Sequence, residues 1–267
     1  MVKYYRKKEG HTMIFDTHAH YDDDAFEIDR YELLKSMPEQ GIGRIVNSGA
    51  DMDTNYKAKK LAEDFSYIWA SFGLHPTYAK DWTPEYLAEL ETLCKWDRCV
   101  AVGEIGLDYY WDDSTPAEQK VCFEQQMDLA RRVGKPIVVH SREAAQDTYD
   151  MMKAFGAEKL GGTIHCFSYG TEMAKLFVDM GFYIGVGGVV TFKNSRKLKE
   201  VVEYLPLENI LLETDCPYLA PTPFRGKRND SSMLPYVVEE IAALKGVSKE
   251  LVEEITWQNA CKLYGLK

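Results

Sequence analysis

A (β/α)8 TIM barrel is the fold class this sequence predicts, and three observations predict it. Eight apolar, β-branched runs recur roughly every 30 residues along the chain. Helical patterns separate them. Residues able to carry chemistry stand at the right-hand end of the runs, where such barrels gather functional side chains on their βα loops. A chain of 267 residues, 45% hydrophobic, suits one large domain with a sizeable core.

The elements follow in order. Residues 1–12 are polar, carry Lys3, Arg6, Lys7 and Lys8, and lack the apolar core of a signal peptide. They read as a flexible extension before a single domain over 13–267. The strand candidates are Ile14–His20, Arg44–Ala50, Ile68–His75, Cys99–Leu107, Pro136–His140, Gly162–Phe167, Phe182–Gly188 and Ile210–Asp215. Near-continuous apolar runs of this length suit parallel strands covered on both faces. The clearest helix begins after Thr115: Thr115 fits the N-cap, Pro116 the first turn and Glu118 a capping box. Cys122, Phe123, Met127, Leu129, Ala130 and Val133 give it a buried face, and Gly134 suits its C-terminal cap. A terminal helix from Ser248 carries Trp257, Cys261 and Tyr264 inward.

Composition narrows the function. The six cysteines form no Cys-x-x-Cys pair, which points to reduced, mostly buried thiols and a cytoplasmic protein. No apolar stretch approaches the ~18 residues of a membrane span, so no membrane partner is expected, and no obligate protein partner is evident. A net charge of −10 argues against a processive binder of long duplex. It leaves room for an enzyme that grips a few nucleotides in a metal-charged cleft, to which Arg225, Lys227 and Arg228 either lend positive potential or stand apart as a solvated loop.

Five of the six histidines fall in short motifs with metal-ligand spacing. His18 and His20 are two apart on a strand, so both face the barrel mouth and reach one ion. Asp16 shares that face, where it either orients a ligand or caps the strand end. Glu104 lies in a run as apolar as Val100-Ala101-Val102, where an unpaired carboxylate is costly. Something positive should meet it: a metal, or an arginine such as Arg142. Its two oxygens suit it to bridge two cations. His140 and His165 end consecutive strands and would complete a second site. Asp215 ends the last strand, beside the first in a closed barrel, as a ligand, a general base for water, or both. Nitrogen and oxygen donors suit zinc, manganese, cobalt or magnesium. Such ions supply hydroxide near neutral pH and stabilise a phosphoester displacement. His75, Arg142 and Arg225 are placed to contact a phosphate, although for His75 a tight turn fixed by Pro76 explains the residue equally well.

The motifs Phe-Asp-Thr-His-Ala-His, Gly-Leu-His-Pro, Val-Gly-Glu-Ile-Gly-Leu-Asp-Tyr, His-Ser-Arg-Glu-Ala, His-Cys-Phe-Ser and Glu-Thr-Asp-Cys-Pro-Tyr-Leu-Ala-Pro together resemble the TatD family of metal-dependent deoxyribonucleases, among the amidohydrolase-like barrels. The likeness runs from about Met13 to Leu266. It implies one metal on His18, His20 and Asp215 with Glu104 shared, and a second on Glu104, His140 and His165. It also implies phosphodiester hydrolysis, often exonucleolytic, with DNA ends as substrate. One departure is Asp230-Ser231-Ser232 after Asn229, where the family tends towards Glu-Pro; it bears on specificity. Two other functions compete. Related barrels hydrolyse amides, lactones or other phosphoesters with much the same ligands, many of them bridging their metals with a modified lysine where this chain has Glu104. A non-catalytic barrel with structural metals would bind ions without turnover.

Overall fold

All eight apolar runs are parallel strands in the computed structural model, which describes residues 13–267. The expectation for residues 1–12 lies outside that range. The strands are β1 (Ile14–Ala19), β2 (Ile42–Ser48), β3 (Ile68–Phe72), β4 (Cys99–Asp108), β5 (Ile137–Arg142), β6 (Gly162–Ile164), β7 (Phe182–Val186) and β8 (Ile210–Leu212). They hydrogen-bond in sequence order. The helices are α1 (Arg30–Ser36), α2 (Met52–Asp64), α3 (Pro84–Cys94), α4 (Pro116–Val133), α5 (Ala145–Phe155), α6 (Thr171–Asp179), α7 (Arg196–Tyr204), α8 (Leu234–Lys245) and α9 (Lys249–Tyr264). One of them follows each strand, and α9 is an addition at the end: the (β/α)8 barrel.

The gap between β8 and β1 is closed by specific bonds. Thr17 Oγ1 donates to Leu212 O at 2.9 Å, Asp215 N to His18 O at 3.0 Å and His20 N to Cys216 O at 2.8 Å. Beneath them the Asp16 carboxylate accepts from Thr214 N (3.0 Å), Thr214 Oγ1 (2.7 Å) and Ser231 Oγ (2.6 Å). Asp16 therefore ties the barrel seam and does not reach the His18 ring. Burial pushes its carboxyl up to about 7 against those bonds. Ser231 is itself fully buried, so this part of the divergent 230–232 loop belongs to the scaffold.

Two apolar layers hold the barrel. One couples the strands to the surrounding helices, with Leu34, Leu61, Phe123, Met127 and Phe177 fully or nearly fully buried. The other gathers Phe15, Val46, Val100, Val138, Tyr183 and Leu211, one from each of six strands, against Ala260 and Tyr264 of α9. Residues from six strands meet only inside a barrel, so α9 plugs the end opposite the mouth. The Tyr264 hydroxyl donates to Thr17 O at 3.2 Å.

Local chemistry explains the elements. The Thr115–Glu118 capping box opens α4, and Gly134 at φ 67° closes it. Ser248 caps α9. All six cysteines are free thiols, and four are buried. No described helix is long and apolar enough to cross a membrane. Several strands stop short of their apolar runs: β3 ends at Phe72, β6 at Ile164 and β8 at Leu212. The next residue of β6 and of β8 still bonds the neighbouring strand, His165 N to Val139 O at 2.9 Å and Glu213 N to Val186 O at 3.3 Å, before the chain turns into its loop.

Candidate metal centre

Glu104 stands at the centre of the barrel mouth, 3% exposed. The β4–β5 register steps from Val102 to Ile105, which frees Glu104 from the ladder. Its two oxygens face different groups. Oε2 lies 3.3 Å from His18 Nε2 and 3.6 Å from His20 Nε2. Oε1 lies 2.6 Å from His140 Nδ1, 3.6 Å from His75 Nε2 and 3.7 Å from His165 Nε2. Burial alone would raise this carboxyl. Attraction to the His165 charge, with bonds from His140 and His18, instead holds it well below the usual range. The positive partner that burial demands is thus a ring of imidazoles, and Arg142 lies elsewhere.

His18, His20 and Asp215 form the first group, with ligand atoms all within 4.8 Å of one another. His20 Nδ1 sits 2.8 Å from Ser48 O, and His18 Nδ1 sits 3.2 Å from Ser48 Oγ. A carbonyl can only accept, so His20 carries a proton on Nδ1. Its Nε2 is left facing His18 Nε2 at 3.0 Å. Asp215 Oδ1 lies 3.4 Å from His20 Nε2 and 3.9 Å from His18 Nε2. Two imidazole nitrogens this close require a cation or a proton between them. Burial works against charge on His20, but Asp215 and Glu104 raise it to about 9. Burial and the charge of His165 lower His18. The donor set therefore fits a divalent cation, which would take the place of the proton. Asp215 adopts φ 57°, a left-handed conformation that non-glycine residues hold only when their surroundings impose it. Its N–H bond to His18 across the seam does so.

His140 and His165 flank the other side of Glu104. Each has a carboxylate behind it that the sequence reading did not single out. His140 Nε2 lies 2.9 Å from Asp108 Oδ2, and His165 Nδ1 lies 3.2 Å from Glu213 Oε2. Glu213 Oε1 also accepts from Cys166 N at 2.6 Å. Space for Glu213 depends on Gly185, where a Cβ would come 2.3 Å from Oε2. Burial opposes charge on His165, but Glu213 first, then Glu104 and Asp215, raises it to about 10. Carboxylates behind ligating histidines fix the ring and its tautomer. Asp108→Asn is expected to weaken metal binding by about 10–100-fold, read by chelator competition. An unchanged affinity would sink that role.

The expected second set of Glu104, His140 and His165 does not gather as one group: His140 and His165 fall in separate ones, and His165 also groups with Cys166 and Asp215. Close ligand-atom groups are His18, Glu104 and His165, and His75, Glu104 and His140. His75 is thus a member of the cluster. It also caps the 3-10 turn at Pro76, its Nδ1 accepting from Thr77 N at 3.3 Å. The ring proton therefore sits on Nε2 and points at the centre, as a donor. Burial and His140 push this histidine down to about 3, so it is neutral. His75 thus both fixes the turn and places its Nε2 3.6 Å from Glu104 Oε1. The Arg142 guanidinium lies over the Tyr110 ring at 3.9 Å. Arg225 lies over Phe192 at 4.4 Å. Arg228 is engaged by Asp29 at 2.6 and 2.8 Å.

Imidazoles and carboxylates converging at the mouth of a (β/α)8 barrel are the equipment of the metal-dependent hydrolases. The family model described as TatD related DNase matches residues 15–265. An uncharacterized metal-dependent hydrolase of Bacillus subtilis, YabD, is 43% identical over 94% of this chain and 99% of its own length. The 3'-5' ssDNA/RNA exonuclease TatD of Klebsiella pneumoniae is 28% identical over 95% of this chain and 98% of its own. Among solved structures, the TatD homolog YJJV of Escherichia coli K12 superposes with a TM-score of 0.89 at 29% identity, covering 95% of this chain and 98% of that one. The chain belongs to the TatD family of metal-dependent hydrolases.

Proposed function

We propose that this hydrolase is a two-metal phosphodiesterase that trims single-stranded ends of DNA. The observation that carries the reading is the division of Glu104, one oxygen towards His18 and His20 and the other towards His140 and His165. One ion would rest on His18, His20 and Asp215 with Glu104 shared, and a second on Glu104, His140 and His165. Zinc, manganese, cobalt and magnesium all suit these donors. Bound divalent ions make a water acidic enough to lose a proton near neutral pH and offset phosphodiester charge.

The chain's own residues do the rest. Asp215 accepts the water's proton. Burial opposes its charge, but His165, His20 and His18 keep it below the usual carboxylate range, so it is an anion at neutral pH. His75 offers Nε2–H to a phosphate oxygen. Arg142 and Arg225 add guanidinium donors at the rim. The name of the Klebsiella relative supports an end-cutting reaction on single strands. The overall charge of −10 disfavours long duplex and leaves binding to a few local contacts.

The test is hydrolysis of end-labelled single-stranded DNA by metal-free protein with Mg²⁺, Mn²⁺, Co²⁺ or Zn²⁺ restored. A metal-dependent ladder from one end is expected. Folded protein that cuts no oligonucleotide with any metal, yet opens an amide or lactone, would overturn the reading.

Metal uptake should depend on pH. His20, raised to about 9, and His165, raised to about 10, hold protons that a cation must displace. Apparent affinity is expected to rise by about tenfold per pH unit for each displaced proton, up to those values. Calorimetric titration at pH 6.5 and 8.5 checks it. A flat profile would mean the ring nitrogens are not the ligands.

A further inference from the structure

Tyr110 and Trp111 lie two and three residues beyond the end of β4, and each is 51% exposed. Scattered exposed apolar residues need no explanation, but this pair is built into the metal centre. Asp108 Oδ1 accepts from Tyr110 N at 2.9 Å and Trp111 N at 3.1 Å, while Oδ2 holds His140 Nε2 at 2.9 Å. One carboxylate therefore positions a histidine of the cluster and the backbone of both aromatics. The two rings stand at 90° with centroids 4.8 Å apart. The Arg142 guanidinium carbon lies 3.9 Å from the Tyr110 centroid and 5.8 Å from that of Trp111. The β4–β5 register pairs Asp108 with Arg142, so strand pairing sets the cation beside the rings.

We infer that Tyr110, Trp111 and Arg142 form a stacking subsite that seats one nucleobase of a single strand beside the phosphodiester being cut. The inference rests on the nuclease reading above and adds how the substrate is held. Every base has a π-face, and aromatic rings hold single strands by stacking without reading sequence. Trp111, half exposed and perpendicular to Tyr110, offers ring surface to a base. Arg142 supplies a planar cation that stacks with a base and donates to its phosphate. Exposed Asp112 and Asp113 follow immediately and repel further phosphates, which limits the subsite to one nucleotide.

The test pairs a normal oligonucleotide with one carrying abasic tetrahydrofuran residues at both ends. The readout is the ratio of kcat/KM for the two, in wild type, Trp111→Ala and Trp111→Phe. Wild type is expected to prefer the normal strand by about tenfold or more, the scale of a stacked base. Trp111→Ala should bring the ratio close to one, and Trp111→Phe should keep most of it. A ratio that survives in Trp111→Ala, even with both rates lowered, would overturn the subsite, because damage passed through Asp108 slows both substrates alike. If wild type cuts neither strand, the nuclease reading falls separately. Fluorescence anisotropy of both oligonucleotides on Asp215→Asn, with and without Trp111→Ala, then decides. A preference for the normal strand that disappears with Trp111 upholds the subsite, and equal binding overturns it.

Discussion

Asp215→Asn is expected to slow phosphodiester hydrolysis by about 10²–10⁴-fold, the span of a lost general base, with the barrel intact by circular dichroism. Asparagine is the informative replacement. It tolerates the left-handed backbone at φ 57° better than most side chains, and its amide oxygen still faces His20. What it lacks is the ability to take a proton. The loss should fall on kcat, with KM for the oligonucleotide changed far less. Full activity in this variant would remove Asp215 from the chemistry and point to a contaminating nuclease.

Glu104→Gln should have the second large effect, on metal content and on the metal-free fold together. The carboxylate lies within 3.7 Å of five imidazoles, and it supports charge on His20, His140 and His165. Bound metal per chain should fall by at least half, read by elemental analysis, and hydrolysis should fall with it. Removing one partner of a buried charged cluster costs about 3–5 kcal/mol. That loss is expected near neutral pH in urea unfolding of the metal-free protein. The sign follows from the raised histidines: their stabilisation is complete below the unfolded value of about 6.5 and fades as pH rises through about 9–10. The gap between wild type and variant should therefore narrow at pH 10. A variant as stable as wild type at pH 7 would contradict a charged cluster.

Most of the scaffold was legible because it is written in local pattern. Apolar, β-branched runs gave all eight strands, and Thr115, Glu118 and Gly134 gave the ends of α4. The histidines and Glu104 were legible because a buried polar residue in an apolar run demands a partner. Asp108, Glu213 and Ser48 escaped because their roles exist only across strands. Ser48 holds two rings from β2 while the rings come from the start of the chain. Glu213 did leave a signal: it sits two residues before Asp215 at the end of an apolar strand, as unaccompanied as Glu104 had looked. Strand ends were overrun where residues turn into loops, as at His75, which caps a 3-10 turn. Nothing in the sequence announced the left-handed backbone at Asp215, since glycine, its usual marker, is absent there. Asp16 was legible only in part: its carboxylate accepts from the nearby His18 N–H, but its other partners, Thr214 and Ser231, lie about two hundred residues away in the chain.

The seam between the first and last strands has a consequence for the life of the chain. His18 and His20 are made about two hundred residues before Asp215 and the loop that anchors Asp16. A growing polypeptide thus carries most of its imidazoles for a long interval without the partners that bring them to a point. Contacts between such distant segments form late and at a high cost in chain entropy. The metal centre is therefore expected to assemble only when the final strand docks. A ribosome-stalled chain that stops before residue 210 should bind divalent metal far more weakly than the complete barrel.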